Sequence, residues 1–171
     1  MNELPFNSIE QTPEDLSGTN VISRFVEALG FRYRWATEDL TENEYDFRPV
    51  ESSKSIRELL EHLFSMAKMI NNALGGEKVS GDASCSFEEL RAKTLDVYEK
   101  MDTRLKSCSD EEFEAFEKSR LDEGVKMNFW LMLNGPISDS LTHVGQITSW
   151  RRIAGNPQPK GINVFKGTTS F

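Results

Sequence analysis

The chain has 171 residues, 37% of them hydrophobic and 28% charged, which is the size of one ordinary domain and too apolar for intrinsic disorder. Its 28 acidic against 20 basic residues leave a net charge of -8, which repels phosphate backbones and anionic lipid surfaces and so argues against nucleic-acid and membrane partners. Residues 1–17 show no basic segment followed by an apolar run, and no window reaches the roughly 20 apolar residues of a bilayer span, so a cytoplasmic location is expected.

In chain order, Ile22, Phe25, Val26, Leu29, Tyr33, Ala36 and Leu40 recur at 3-4 spacing and predict a first long helix over 20–40. The acidic run and Pro49 break that period, which places a loop over 41–54. Ser55 with Glu58 forms a capping box, and Ile56, Leu59, Leu60, Leu63, Ala67, Ile70 and Leu74 follow as the stripe of a second helix ended by Gly75 and Gly76. A second box, Ser86 with Glu89, opens a third helix whose stripe is Phe87, Leu90, Thr94, Val97, Tyr98, Met101 and Leu105. Ser109 with Glu112 caps a short further piece, and 114–126 is charged and lacks a clear period.

Residues 127–133 are strongly apolar and lead into Asn134-Gly135-Pro136, where Pro136 suits the first turn of a helix or a kink, so the last long helix is predicted over 136–154. Gly155 followed by Asn156-Pro157 stops it, and the tail 156–171 is expected to lie over the helices as an extended flap anchored by Ile162, Val164 and Phe165. No strand alternation competes, so the expected fold is all-α, a four-helix bundle with a short extended C-terminal tail, in a single domain spanning 1–171. Cys85 and Cys108 form no CxxC motif and lie far from either histidine, which makes them bystanders.

Only two histidines occur, and each falls inside a predicted helix. Asp139 and His143 are four residues apart on the last helix, so both project from one face on successive turns, and Gln146 and Trp150 continue the row. That row lies nearly opposite Ile137, Leu141 and Val144; a solvated face is the plain alternative, but a tryptophan suits open water poorly. His62 flanks the apolar arc of the second helix beside Leu59, Met66 and Met69. A lone histidine there is more often a hydrogen-bonded core residue than a ligand. Two imidazoles and a carboxylate from two helices nevertheless supply three ligands to a divalent cation and leave coordination positions open, the pattern of catalytic metal sites. Glu58 is a competing carboxylate already explained by its capping box. Arg151 and Arg152 suit the helix C-terminus electrostatically, and Arg151 is also a candidate anion ligand near the site.

The segments Leu29-Gly-Phe-Arg-Tyr-Arg-Trp35, Asp46-Phe-Arg-Pro49, Ser55-Ile-Arg-Glu-Leu-Leu-Glu-His62, Asn134-Gly-Pro-Ile-Ser-Asp-Ser-Leu-Thr-His-Val-Gly-Gln-Ile147 and Arg151-Arg-Ile-Ala-Gly-Asn-Pro157 together resemble the DinB/YfiT-like superfamily over nearly the whole chain. The resemblance implies a four-helix bundle whose metal is held by one histidine on the second helix and an HxxxH pair on the last, followed by Gly-Gln. His62, His143, Gly145 and Gln146 match that pattern, whereas Asp139 stands where the first histidine of the pair is expected. An aspartate still ligates and makes the site harder and less positive, which leaves zinc, nickel, manganese or iron as the ion. Gly145 is expected to permit close helix packing and Gln146 to orient a ligand.

The resemblance further implies either transfer of a low-molecular-weight thiol cosubstrate to an electrophile or hydrolysis of a small substrate by a metal-activated nucleophile. The rival expectation is a non-enzymatic, stress-related binding protein with a vestigial metal site, since fold does not dictate function. Exposed aromatics such as Trp130 and Phe129 suit a homodimer.

Overall fold

The first helix, α1 (Gly18–Ala36), begins where Ser17 Oγ accepts the Asn20 amide and where the Asp110 carboxylate takes the Gly18 and Thr19 amides, each at 2.8 Å. Those contacts satisfy amides that no earlier turn can pair. It ends earlier than the apolar spacing predicts: Thr37 Oγ1 donates to the Tyr33 carbonyl at 2.7 Å and Asp39 turns left-handed (φ 55°), so Leu40 is buried from beyond the helix. This is a computed structural model, and it describes residues 3–9 and 12–171.

The 41–54 loop holds one helical turn, α2 (Glu42–Tyr45), which the broken period concealed. The cause is a further capping box, with the Thr41 amide donating to Glu44 Oε2 at 2.7 Å. The next two helices follow their boxes as expected: α3 (Ile56–Ala73) from Ser55 and Glu58, α4 (Phe87–Lys106) from Ser86 and Glu89. α5 (Asp110–Asp122) is longer than the short piece expected, and it buries no residue. Polar contacts and two half-buried phenylalanines hold it instead: Asp110 at the start of α1, Glu117 Oε1 on the Phe129 amide at 2.6 Å, Phe113 edge-on to Phe129 at the edge of the core, and Phe116 against Gly75. A helix without an apolar stripe leaves no periodic mark in sequence.

The last helix does not start at Pro136. Its run begins at α6 (Phe129–Met132), capped by Asn128 Oδ1 on the Leu131 amide, passes through a π-helical turn (Leu133–Ile137) that contains Pro136, and continues as α7 (Ser138–Ile153). Proline has no amide to donate and its ring crowds the carbonyl four residues back, and a widened turn accommodates both.

The helices α1, α3, α4 and α7 form the bundle, with α1 and α3 each packed on both α4 and α7. One apolar cluster fills the centre, including Leu29, Tyr33, Leu60, Leu63, Tyr98 and Ile147, all nearly inaccessible. Burying each such aliphatic side chain contributes about 1.5–3 kcal/mol. The tail is a two-stranded antiparallel hairpin, β1 (Ile162–Asn163) with β2 (Thr168–Thr169), joined to the N-terminal segment by the Ile9 amide on the Gly167 carbonyl at 2.7 Å. Of the anchors expected there, Ile162 is half-buried whereas Val164 and Phe165 are exposed, Phe165 at 99%; Phe171 meets Trp35 edge-on but is itself largely exposed. No described helix is long and apolar enough to cross a membrane.

Candidate metal centre

Two helices position the group. The capping box sets the start of α3, which places His62 two turns in, beside the buried Leu63 and one turn before the buried Met66. On α7 the buried face is Ser140, Val144, Ile147 and Arg151, preceded by Ile137, rather than the Ile137, Leu141 and Val144 row. At 100° per residue this swings the buried arc toward Asp139, His143 and Gln146, which therefore flank the core at roughly 100° from its centre instead of facing away from it. A serine and an arginine in that arc hid the true face from a hydrophobic count.

The structure brings His62, Asp139 and His143 together, with one donor atom of each within 4.8 Å of the others. Asp139 Oδ2 is 3.2 Å from His143 Nε2 and 3.8 Å from His62 Nε2, and the two imidazole rings meet edge to face with centroids 5.1 Å apart. His143 is the most enclosed at 15% side-chain exposure, against 38% for His62 and 49% for Asp139. Burial, and after it the neighbouring His143 and Lys54, depress the His62 pKa below its ordinary value, which favours the neutral ring that a metal requires.

Gln146 Oε1 lies 2.7 Å from His143 Nδ1. An amide oxygen only accepts, so Nδ1 carries the hydrogen and Nε2 directs a lone pair at Asp139. A lone pair facing a carboxylate at 3.2 Å is satisfied by a proton on that nitrogen or by a cation between the two. Four-coordinate zinc at 2.0–2.2 Å from its ligands sets neighbouring donors about 3.4 Å apart. The Asp139 to His143 spacing matches this, the Asp139 to His62 spacing exceeds it by a few tenths of an ångström, and the two imidazole nitrogens, within 4.8 Å of one another, close the remaining gap by rotation of the His62 side chain. The donor set thus fits a divalent ion of the zinc type, with Nε2 of each imidazole as the atom facing Asp139.

Beside His62 and Asp139 opens a cleft of about 530 Å³, walled by Met66 and Met69 of α3, by Asn134, Gly135 and Pro136 of the π-helical turn, and by Ser138 and Thr142 of α7. Sequence reasoning had placed the two methionines beside His62 but missed Asn134, Ser138 and Thr142; the available signal was Asn134-Gly135-Pro136 within helical reach of Asp139.

The remaining site expectations fare differently. Trp150 is half-buried against the core. Arg151 is fully buried and points away, its guanidinium donating to the Asn156 carbonyl and side chain and to the Trp35 and Ala36 carbonyls at the end of α1. No donor of it reaches the cleft, so the anion-ligand expectation gives way to a structural role. Glu58 is engaged by Arg48 at 2.8 Å and, after it, by the Ser55 amide, which hold its carboxyl down to about 2. Gly145 serves no close packing: a Cβ there would meet nothing within 4 Å. Phe129 is half-buried on Phe113, whereas Trp130 is 73% exposed.

A family model described as the DinB superfamily matches residues 27–147, a span that holds all three ligand candidates and Gln146. The chain belongs to the DinB superfamily. No curated protein and no solved structure matches it. The matched span covers the α3 and α7 residues that converge. Membership and the His-Asp-His group together fit a metal-dependent enzyme.

Proposed function

We propose that this DinB-superfamily protein is a metal-dependent enzyme that binds one divalent ion through His62, Asp139 and His143 and transfers a low-molecular-weight thiol to a small electrophile. The observation that carries the reading is the convergence of three donors at the edge of an open cleft. When bound, the ion supplies Lewis acidity that lowers the pKa of a thiol or a water molecule toward neutrality.

The chain's own residues account for the remaining requirements. His62 and His143 direct Nε2 at Asp139, and Gln146 engages His143 Nδ1 and so leaves Nε2 for an ion. The second oxygen of Asp139, half-exposed and unpaired among the described residues, is placed to take the proton that the nucleophile releases. Met66 and Met69 present polarisable thioethers to whatever occupies the cleft, which suits a sulfur or carbon electrophile better than a small polar ester. In the transfer itself the sulfur–carbon bond forms as the bond to the leaving group breaks, and the leaving group departs with the electron pair.

Elemental analysis of untagged protein purified without chelator tests the reading. Stoichiometric zinc, nickel, manganese or iron is expected, lost in His143→Ala with the helical circular dichroism unchanged, and thiol consumption with several electrophiles should depend on that metal. Metal-free protein with no turnover would favour the non-enzymatic binding role. Turnover of ester or amide substrates without thiol would favour hydrolysis.

A further inference from the structure

We infer that the cleft selects an uncharged ligand with an apolar body and hydrogen-bonding groups, and discriminates against thiols or electrophiles that carry a carboxylate or phosphate. The inference rests on the metal-binding reading above and concerns the occupant of that same site.

The wall carries two chemistries. Met66, Met69 and Pro136 supply apolar and polarisable surface, and Asn134, Ser138 and Thr142 supply a neutral amide and two hydroxyls, which donate to the Leu133 and Ser138 carbonyls and remain free to accept. Among the described residues no lysine or arginine lines the cleft; its one full charge is the Asp139 carboxylate. Lys54 is near enough for its charge to act on the His62 ring, but it stands exposed just before α3 and is not part of the wall. Arg151, the cation nearest in sequence to the site row, is consumed by four acceptors at the ends of α1 and α7.

Charge balance follows directly. A divalent ion with the Asp139 carboxylate leaves one positive charge, which a single thiolate neutralises. Any second negative charge on the ligand finds no lysine or arginine among the lining residues, only thioethers, a proline ring, neutral dipoles and the Asp139 carboxylate, which repels it. A hydroxyl or amide in the same place is hydrogen-bonded by Asn134, Ser138 or Thr142 at little cost. The methionines are matched by an unbranched or aromatic carbon skeleton, which they accommodate by adjusting three rotatable bonds each.

The test uses cobalt as spectroscopic probe on the full chain. Cobalt titration is read first by its visible absorption, with His143→Ala as control. The loaded protein is then titrated with mercaptohexanol and with mercaptohexanoate, which share chain length and thiol acidity and differ in charge. Binding is read from the sulfur-to-cobalt charge-transfer band. The neutral thiol should bind about threefold or more tightly than the anionic one, and Met69→Lys, which adds a cation to the wall, should abolish or reverse that preference when the variant is compared fully loaded with cobalt. Equal or tighter binding of mercaptohexanoate to the wild-type protein overturns the charge inference and leaves the metal reading standing. Cobalt that fails to bind, or that binds His143→Ala as well, overturns both.

Discussion

Replacing Arg151 with methionine separates a structural from a ligand-binding role for the one buried cation of the last helix. The side chain is wholly inaccessible, and its donors reach the Asn156 carbonyl at 2.7 Å, the Ala36 carbonyl at 3.0 Å, the Asn156 side-chain oxygen at 3.2 Å and the Trp35 carbonyl at 3.4 Å. Methionine fills most of the volume but donates nothing. The Trp35 and Ala36 carbonyls, at the end of α1 where no further helical amide can reach them, are left buried and unpaired, while Asn156 is half-exposed and finds water. Two orphaned carbonyls at about 1–3 kcal/mol each cost about 2–6 kcal/mol, and the added apolar burial returns roughly 1 kcal/mol, which leaves a loss of about 1–5 kcal/mol. The upper part of that range is a large share of the roughly 5–15 kcal/mol typical of a folded domain, and the range corresponds to about 2–20 °C in Tm for a chain of this length. Urea titration gives the difference directly from the midpoint if the slope is unchanged. A loss below about 1 kcal/mol would refute the role assigned to these contacts. So would a collapse of cobalt affinity in protein that remains folded, which would return Arg151 to the site.

Three further outcomes follow from the same geometry. Gln146→Ala frees the His143 ring to flip and to exchange tautomers, so metal affinity should fall roughly 10–100-fold with unfolding stability nearly unchanged, and unaltered affinity in a competition titration would show that the 2.7 Å contact orients nothing. Gly145→Ala adds a methyl group to open space inside an exposed helical turn and should stabilise the protein by about 0.5–1 kcal/mol; a clear destabilisation in thermal melts would mean that another surface approaches α7 there. For pH, the His62 pKa is depressed in the fold below its ordinary 6.5, so the unfolded chain takes up that proton first. Its contribution to the stability of metal-free protein is intact above about pH 6.5 and declines as pH falls, and His62→Gln should show less loss than the wild type between urea midpoints at about pH 7.5 and about pH 5.5. Equal losses in the two proteins would remove His62 from that account.

The sequence made legible those parts of the fold that a side chain announces locally. The boxes at Ser55, Ser86 and Ser109 marked three helix starts to the residue, because a serine and a glutamate three apart satisfy each other's backbone amides wherever the chain runs. The same signal was present at Thr41 and Glu44 and was passed over because the turn it opens is too short to show a period. Elements whose cause lies elsewhere in the chain were not legible. α5 depends on Asp110 and Glu117 reaching other segments, and the π-helical turn depends on how Pro136 is accommodated within a helix already under way.

The candidate site divides along the same line. Four-residue spacing was enough to put Asp139 and His143 on one face, and the scarcity of histidine was enough to bring in His62. The direction of that face was misjudged because α7 buries Ser140 and Arg151, two polar residues whose partners, the Pro136 carbonyl and the end of α1, become visible only in three dimensions. The same fact removed Arg151 from the site: a cation near a helix end reads as a surface or ligand-binding group until its acceptors are seen.

The central claim is that one ion joins α3 to α7. Anomalous scattering from a crystal grown with zinc, measured on both sides of the zinc absorption edge, tests it most directly. A single strong peak about 2.0–2.2 Å from His62 Nε2, from His143 Nε2 and from one Asp139 oxygen is predicted, with its open side toward Met66 and Met69. The absence of a peak among those three side chains at saturating zinc, or a peak that touches only one of them, would contradict it.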